Sequence, residues 1–206
     1  MKLPRRLIVL SPLLLPAGLA LANTAHQPLH GRPAPALPSR ADTHVYLIRG
    51  LFGVFSLGLD DLMKELVAQG YHSEIYGWDE AQKVIDLINQ RAEGGHTGPV
   101  VLIGHSLGAN AVISVATSIQ QQNIPVDLGV TFDATDPGQV PANVAVFINF
   151  WAQDGFGVPV SAVPGYAGDL QNVDLSDQPG IDHTTIDAME PFHQEVITRL
   201  ESMTSK

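Results

Sequence analysis

From residue 42 onward, short continuous apolar runs alternate with longer stretches whose apolar positions recur every three or four residues. The runs predict strands at 44–48 (HVYLI), 72–76, 99–103 (PVVLI), 126–132 and 144–150. The periodic stretches predict helices at 57–69, stopped by Gly70, and at 79–91, stopped by Gly94 and Gly95, with Val84, Ile85, Leu87 and Ile88 turned inward. Two further helices are expected at 107–122 and 184–201. The run at 99–103 carries no polar alternation, which is the pattern of a strand buried on both faces of a parallel sheet. Strands separated by helices of this length give an α/β protein with a mostly parallel sheet of about five to six strands and helices on both faces.

The first 41 residues do not share this pattern. Lys2, Arg5 and Arg6 precede an uncharged apolar stretch from 7 to 21, and Ala20-Leu21-Ala22 offers a small-x-small cleavage pattern, so residues 1–22 are expected to be an export signal. Pro12 and Pro16 interrupt the apolar stretch, which argues against a retained membrane span. Residues 23–41 hold Pro28, Pro33, Pro35 and Pro38 among small and polar residues and are expected to be an extended linker. The folded domain is then 42–206.

Charge and composition narrow the function. The 206 residues contain 11 Lys and Arg against 21 Asp and Glu, and removing the signal takes the formal charge from −10 to −13. Such a surface repels a polyphosphate backbone, so no nucleic-acid partner is expected. The chain has no cysteine, which rules out a disulfide framework, a thiolate metal site and a Cys nucleophile together.

The candidate chemistry lies at the end of the most apolar strand. Gly104-His105-Ser106-Leu107-Gly108 fits G-x-S-x-G, with a predicted strand immediately before it and a predicted helix immediately after. Those are the two conditions of a nucleophile elbow. Glycines at 104 and 108 let strand and helix approach, and Ser106 then sits on a sharp turn with its hydroxyl exposed at a helix N-terminus, where free N–H groups face any developing oxyanion.

With this elbow, with HVYLIRGLFG at the end of the first strand, with TFDATDP after the strand at 126–132 and with IDHTTID before the last helix, the chain resembles the α/β-hydrolase superfamily in its small lipase, esterase and thioesterase branch. The resemblance spans about residues 43–200 and implies an α/β-hydrolase fold with little or no lid. It implies Ser106 as nucleophile, followed in chain order by an acid and a histidine base. Downstream of Ser106 only His183 and His193 occur; His183 is favoured because it lies in a loop, whereas His193 lies inside a predicted helix with a solvated or half-buried role. The other histidines, including His105 at the second position of the elbow, are expected to pack or to face solvent. For the acid, Asp133 directly follows its strand and is preferred over the alternative Asp154, which stands several residues beyond the next one. Leu107 and Leu51 are the expected oxyanion-hole donors, although Arg49 stands where the superfamily usually has histidine.

The ten residues 134–143 are too few for a helical cap, so the Gly- and Pro-rich segment 155–181 is expected to form the wall and gate of the site. Phe52, Trp151 and Phe156 are the candidate substrate-binding residues. Asp169, Asp174, Asp177 and Asp182 lack the spacing of a calcium loop, and neither a metal nor a cofactor is expected. The resulting expectation is an exported, periplasmic or secreted serine hydrolase acting on small-molecule or lipid esters, without a membrane span once the signal is removed. The alternatives are a catalytically silent hydrolase-fold binding or scaffold protein of the cell envelope, and a thioesterase or acyltransferase using the same three residues.

Overall fold

The computed structural model describes residues 36–51, 56–153 and 156–205. The expected signal and most of the expected linker lie outside them. Elements run in the order β1 (His44–Arg49), α1 (Leu57–Ala68), β2 (His72–Gly77), α2 (Ala81–Glu93), β3 (Val100–His105), α3 (Leu107–Gln120), β4 (Val126–Phe132), β5 (Gln139–Val140), β6 (Val144–Trp151), β7 (Ser161–Ala162), β8 (Asp169–Asp174) and α4 (Glu190–Met203). Six strands form one sheet in the order β2-β1-β3-β4-β6-β8, parallel throughout, and the two-residue strands β5 and β7 pair separately.

The apolar pattern explains the layers. All six residues of β3 are buried, as expected of a central strand covered on both faces. On one face, Leu59, Leu62 and Leu66 of α1 and Val196, Ile197 and Leu200 of α4 pack on Val45, Leu47, Val101, Ile103 and Val130. On the other, Val84 and Ile88 of α2 and the small-residue face of α3 cover Tyr46, Ile48, Leu102 and Phe147. Fully burying a Leu, Ile or Val contributes about 1.5–3 kcal/mol, so each helix is held mainly by this stripe and only weakly by its intrinsic propensity.

Two differences from the sequence-based expectation have physical reasons. The segment 155–181, expected to be irregular, contains β8, an edge strand of composition DLQNVD with one neighbouring strand and no fully buried residue. Its polar side chains conceal it from any search for apolar runs. Residues 38–41, within the expected linker, are tied to the end of the chain: the Ser205 N–H donates to the Pro38 carbonyl at 2.8 Å, and Arg40 pairs with Glu201 at 2.8 Å.

The strand order determines where a site can form. The chain goes outward from β1 to β2, then returns past β1 to β3 and proceeds the other way, so the connections leaving β1 and β3 diverge. A crevice opens at their carboxyl ends, the place where ligands bind in open α/β sheets. Among the described residues, no helix is long and apolar enough to cross a membrane.

Candidate active site

Ser106 stands in that crevice, between the last residue of β3 and the first of α3. Its backbone has φ 57° and ψ −123°, a left-handed conformation that costs a non-glycine residue free energy and is sustained by the surrounding structure. The turn can be this sharp because strand and helix nearly touch: a Cβ on Gly104 would lie 2.3 Å from the Gly108 carbonyl oxygen, and one on Gly108 2.0 Å from that of Ile48. The Ser106 N–H donates to the Phe132 carbonyl at 3.0 Å, which locks the elbow to β4.

Asp133 directly follows β4 and is also in the left-handed region, at φ 54°. It is fully buried, and its N–H donates to the Phe150 carbonyl at 2.7 Å. One carboxylate oxygen, Oδ1, accepts from the Ala152 N–H at 2.9 Å; the other, Oδ2, is 2.5 Å from Nδ1 of His183. Nε2 of His183 is 2.9 Å from the Ser106 Oγ. Since the ionised carboxylate can only accept, Nδ1 carries the proton, which leaves the Nε2 lone pair to accept from the serine hydroxyl. The structure thus brings Ser106, His183 and Asp133 into one hydrogen-bonded chain.

Other candidates stand elsewhere. His193 is 2 % exposed, buried rather than solvated, with Nε2 donating to the Asp187 carbonyl at 2.8 Å on the α1–α4 face of the sheet. Asp154 and Phe52 lie outside the described residues. Trp151 ends β6, paired in register with Asp174, and is not among the residues lining the crevice. Strand alternation turns it to the opposite face from Phe150. Phe156 does line the crevice and sits against the His183 ring with centroids 4.8 Å apart.

The crevice encloses about 600 Å³ and is predominantly apolar. Leu51 and Leu107 both line it beside Ser106. As the first residue of α3, Leu107 has an N–H outside the helix's own hydrogen-bond ladder, and Leu51 follows Gly50, whose backbone packs directly against Ser106. Asp182 and Thr184 form part of the rim; the hydroxyl and N–H of Thr184 both donate to the Asp182 carboxylate and hold its pKa below the usual range.

Sequence reading missed two participants. Gly157 closes over the acid, where a Cβ would fall 1.9 Å from Asp133 Oδ1; nothing in a Gly-rich segment distinguishes this glycine from its neighbours. Ser56 precedes α1 and looks like a helix cap, yet its side chain makes no capping bond and lines the crevice instead. The four aspartates considered for calcium do not converge. Among the described residues, the one group of three possible metal ligands is Glu65, Glu190 and His193 on the α1–α4 face, with Glu190 exposed, and none of the three is among the residues lining the crevice.

This architecture, a parallel sheet with an elbow serine at the carboxyl end of a central strand, is the α/β-hydrolase fold. Its likeness to solved structures agrees. The chain is similar to a metagenomic carboxyl esterase, MGS0156, at 16 % identity and a TM-score of 0.50, covering 83 % of this chain and 79 % of that one. It is similar to BorB, the type II thioesterase of the borrelidin biosynthetic cluster, at 10 % identity and a TM-score of 0.50, covering 80 % and 95 %. At these identities the likeness concerns the fold. No protein-family model matches the sequence, and no curated protein does.

Proposed function

We propose that the protein is an exported serine hydrolase that cleaves carboxylic esters through an acyl-enzyme. The observation that carries this reading is the continuous chain from the Asp133 carboxylate through His183 to the Ser106 hydroxyl, at 2.5 Å and 2.9 Å. In the reaction, the Ser106 Oγ attacks the ester carbonyl while His183 Nε2 takes its proton, and Asp133 holds the ring and stabilises the imidazolium. The carbonyl oxygen becomes negative against the N–H groups of Leu107 and Leu51. His183 then protonates the departing alkoxide, and a water activated by the same nitrogen releases the acid and restores Ser106.

The surroundings favour an uncharged ester. The volume of about 600 Å³ suits a small molecule or one acyl chain. Leu51 and Phe156, 43 % and 58 % exposed, give the mouth an apolar rim. No lysine or arginine lines the crevice among the described residues, and Asp182 does, so the phosphates of a coenzyme A thioester would meet repulsion where they need a cation. Export rests on the N-terminal signal pattern.

A fluorophosphonate probe tests the reaction class. The mature chain is expected to be labelled at Ser106, and a panel of chromogenic esters of graded acyl length should give a maximum set by the depth of the crevice. A folded sample that takes no label and hydrolyses no member of the panel would point instead to a silent binding or scaffold protein.

A further inference from the structure

His105, at the second position of the elbow, is 1 % exposed, and Ser56 is fully buried. The Gly50 N–H donates to the Ser56 Oγ at 3.0 Å; that Oγ is 2.8 Å from His105 Nδ1; and His105 Nε2 is 2.8 Å from the carbonyl oxygen of His183. The two ends set the direction of the whole series, because an amide N–H only donates and a carbonyl oxygen only accepts. His105 must therefore donate from Nε2, which leaves Nδ1 as an acceptor for the Ser56 O–H. One continuous, fully satisfied path runs from Gly50 to His183. A buried path of this kind is rigid because every member would be orphaned by movement of the next.

The path joins the two loops whose relative placement matters most. Gly50 immediately precedes Leu51, and a Cβ on Gly50 would lie 2.8 Å from the Ser106 Cβ. At the other end the path grips the base at its own main chain. Ser56 is free for this task because its usual duty is done by another residue: the Leu59 N–H in the first turn of α1 donates to Asp187 Oδ2 at 3.2 Å. Burial holds the His105 imidazole at about 4, so it stays neutral at ordinary pH. Neutrality matters because its ring centroid is 5.0 Å from that of His183, which must become a cation during the reaction.

Building on the ester-hydrolase reading, we propose that Ser56 and His105 are positioning residues that tie the oxyanion loop at Gly50–Leu51 to the loop carrying His183, so that donor and base keep one geometry through the reaction.

Two arms test this. The first does not need turnover. Long-range ¹H–¹⁵N NMR of the mature chain should find His105 as the neutral tautomer protonated at Nε2 between pH 5 and 8. In Ser56→Ala, the His105 ring signals should shift, Gly50 amide exchange should quicken about tenfold or more, and the downfield proton shared by His183 and Asp133 should broaden. The second arm is kinetic, on active-site-titrated protein so that misfolded molecules do not count. Ser56→Ala should lower kcat about tenfold with KM within about twofold, because the loss falls on the transition state. His105→Gln can still place an N–H near the Nε2 position, towards the His183 carbonyl, whereas the shorter His105→Asn reaches only the Nδ1 position beside Ser56, so the glutamine variant should retain the higher kcat. An Nδ1-protonated or cationic His105 at pH 7, an unmoved His183–Asp133 proton in Ser56→Ala, or a kcat of that variant within twofold of the parent overturns the proposal. Failure of the parent to react with fluorophosphonate would strike the ester-hydrolase reading alone, since the NMR arm still decides the path.

Discussion

Histidines collect at both edges of the sheet, but the two collections differ in kind. At the carboxyl edge, His105 and His183 each have both ring nitrogens engaged with named partners. At the amino edge, His44, His72 and His96 line a cavity of about 370 Å³ together with Tyr46, Glu74 and Arg91, and His44 and His72 lie stacked with centroids 4.1 Å apart. Chain polarity accounts for the contrast. In a parallel βα arrangement, helices begin at the carboxyl edge and offer N–H groups and positive dipole ends there, while the amino edge receives helix C-termini. The connections from β1 and β3 also part at the carboxyl edge, so the elbow opens into the crevice. A count of imidazoles would rate the amino edge the richer site; the assignment of donors and acceptors rates it the poorer.

The contrast is broken most severely by removing the proposed nucleophile or its proposed base. Ser106→Ala and His183→Ala should each reduce kcat by about 10⁴ to 10⁶, and the two losses should not add, because the residues act as a unit. His72→Gln at the amino edge should leave kcat within about twofold, since it meets no reacting group. Turnover of one chromogenic ester by the three variants measures both statements. Asp133→Asn should follow closely, with a loss of about 10³ to 10⁴, because the asparagine can hold the ring in the wrong tautomer.

The fold was readable because its strongest signals are local and redundant. The continuous apolar run ending in β3, the glycine stops and the helical periodicity of α1 to α3 all state the same alternation. The edge strand β8 was not readable, since a strand with one neighbour and a polar composition only partly buries its two apolar residues, Leu170 and Val173, and makes no apolar run. At the site, Ser106 was visible because a tight elbow demands small residues on both sides, a constraint that leaves a pattern of five positions. His183 and Asp133 were reachable only through the chain order that the resemblance implies, with two histidines downstream of Ser106 and two aspartates after strands to choose between. Ser56 was hidden for the opposite reason: a serine before a helix already has an ordinary explanation, and only coordinates reveal that Asp187 has taken over that role. Gly157 acts through a contact with a residue 24 positions away, which no local pattern records.

That contact yields a subtler break. Gly157→Ala would place a methyl group where Asp133 Oδ1 stands, so the carboxylate or the loop must shift. A displacement of about 1 Å at a catalytic group costs on the order of 10²-fold in rate, and kcat should fall by about 10 to 10² with the Ser106 label slowed in proportion. An unaltered labelling rate would mean that the loop yields and the acid does not.

The mildest distinction concerns pH. His105 and His44 are both lowered from 6.5 to about 4, but the first is buried under the elbow, whereas the second owes its shift to partial burial, then to the Arg91 guanidinium and to His72. Each is neutral in the folded protein and protonated in the unfolded chain below 6.5. The unfolded state therefore binds more protons between pH 4 and 6.5, so the stability associated with each ring is present above that window and lost as pH falls through it. For His105 the loss is at most about 3 kcal/mol across the window. Asp187, raised to about 6 by burial, tilts stability the other way, but it does so in parent and variants alike. Melting temperatures between pH 4 and 7 should consequently fall less steeply on acidification in His105→Gln than in the parent, at low and high salt equally. His44→Gln should flatten the curve less, and its difference from the parent should shrink in high salt, because the Arg91 repulsion is screened near the surface. Equal flattening by the two substitutions, insensitive to salt, would show that the two edges hold their imidazoles neutral by the same means.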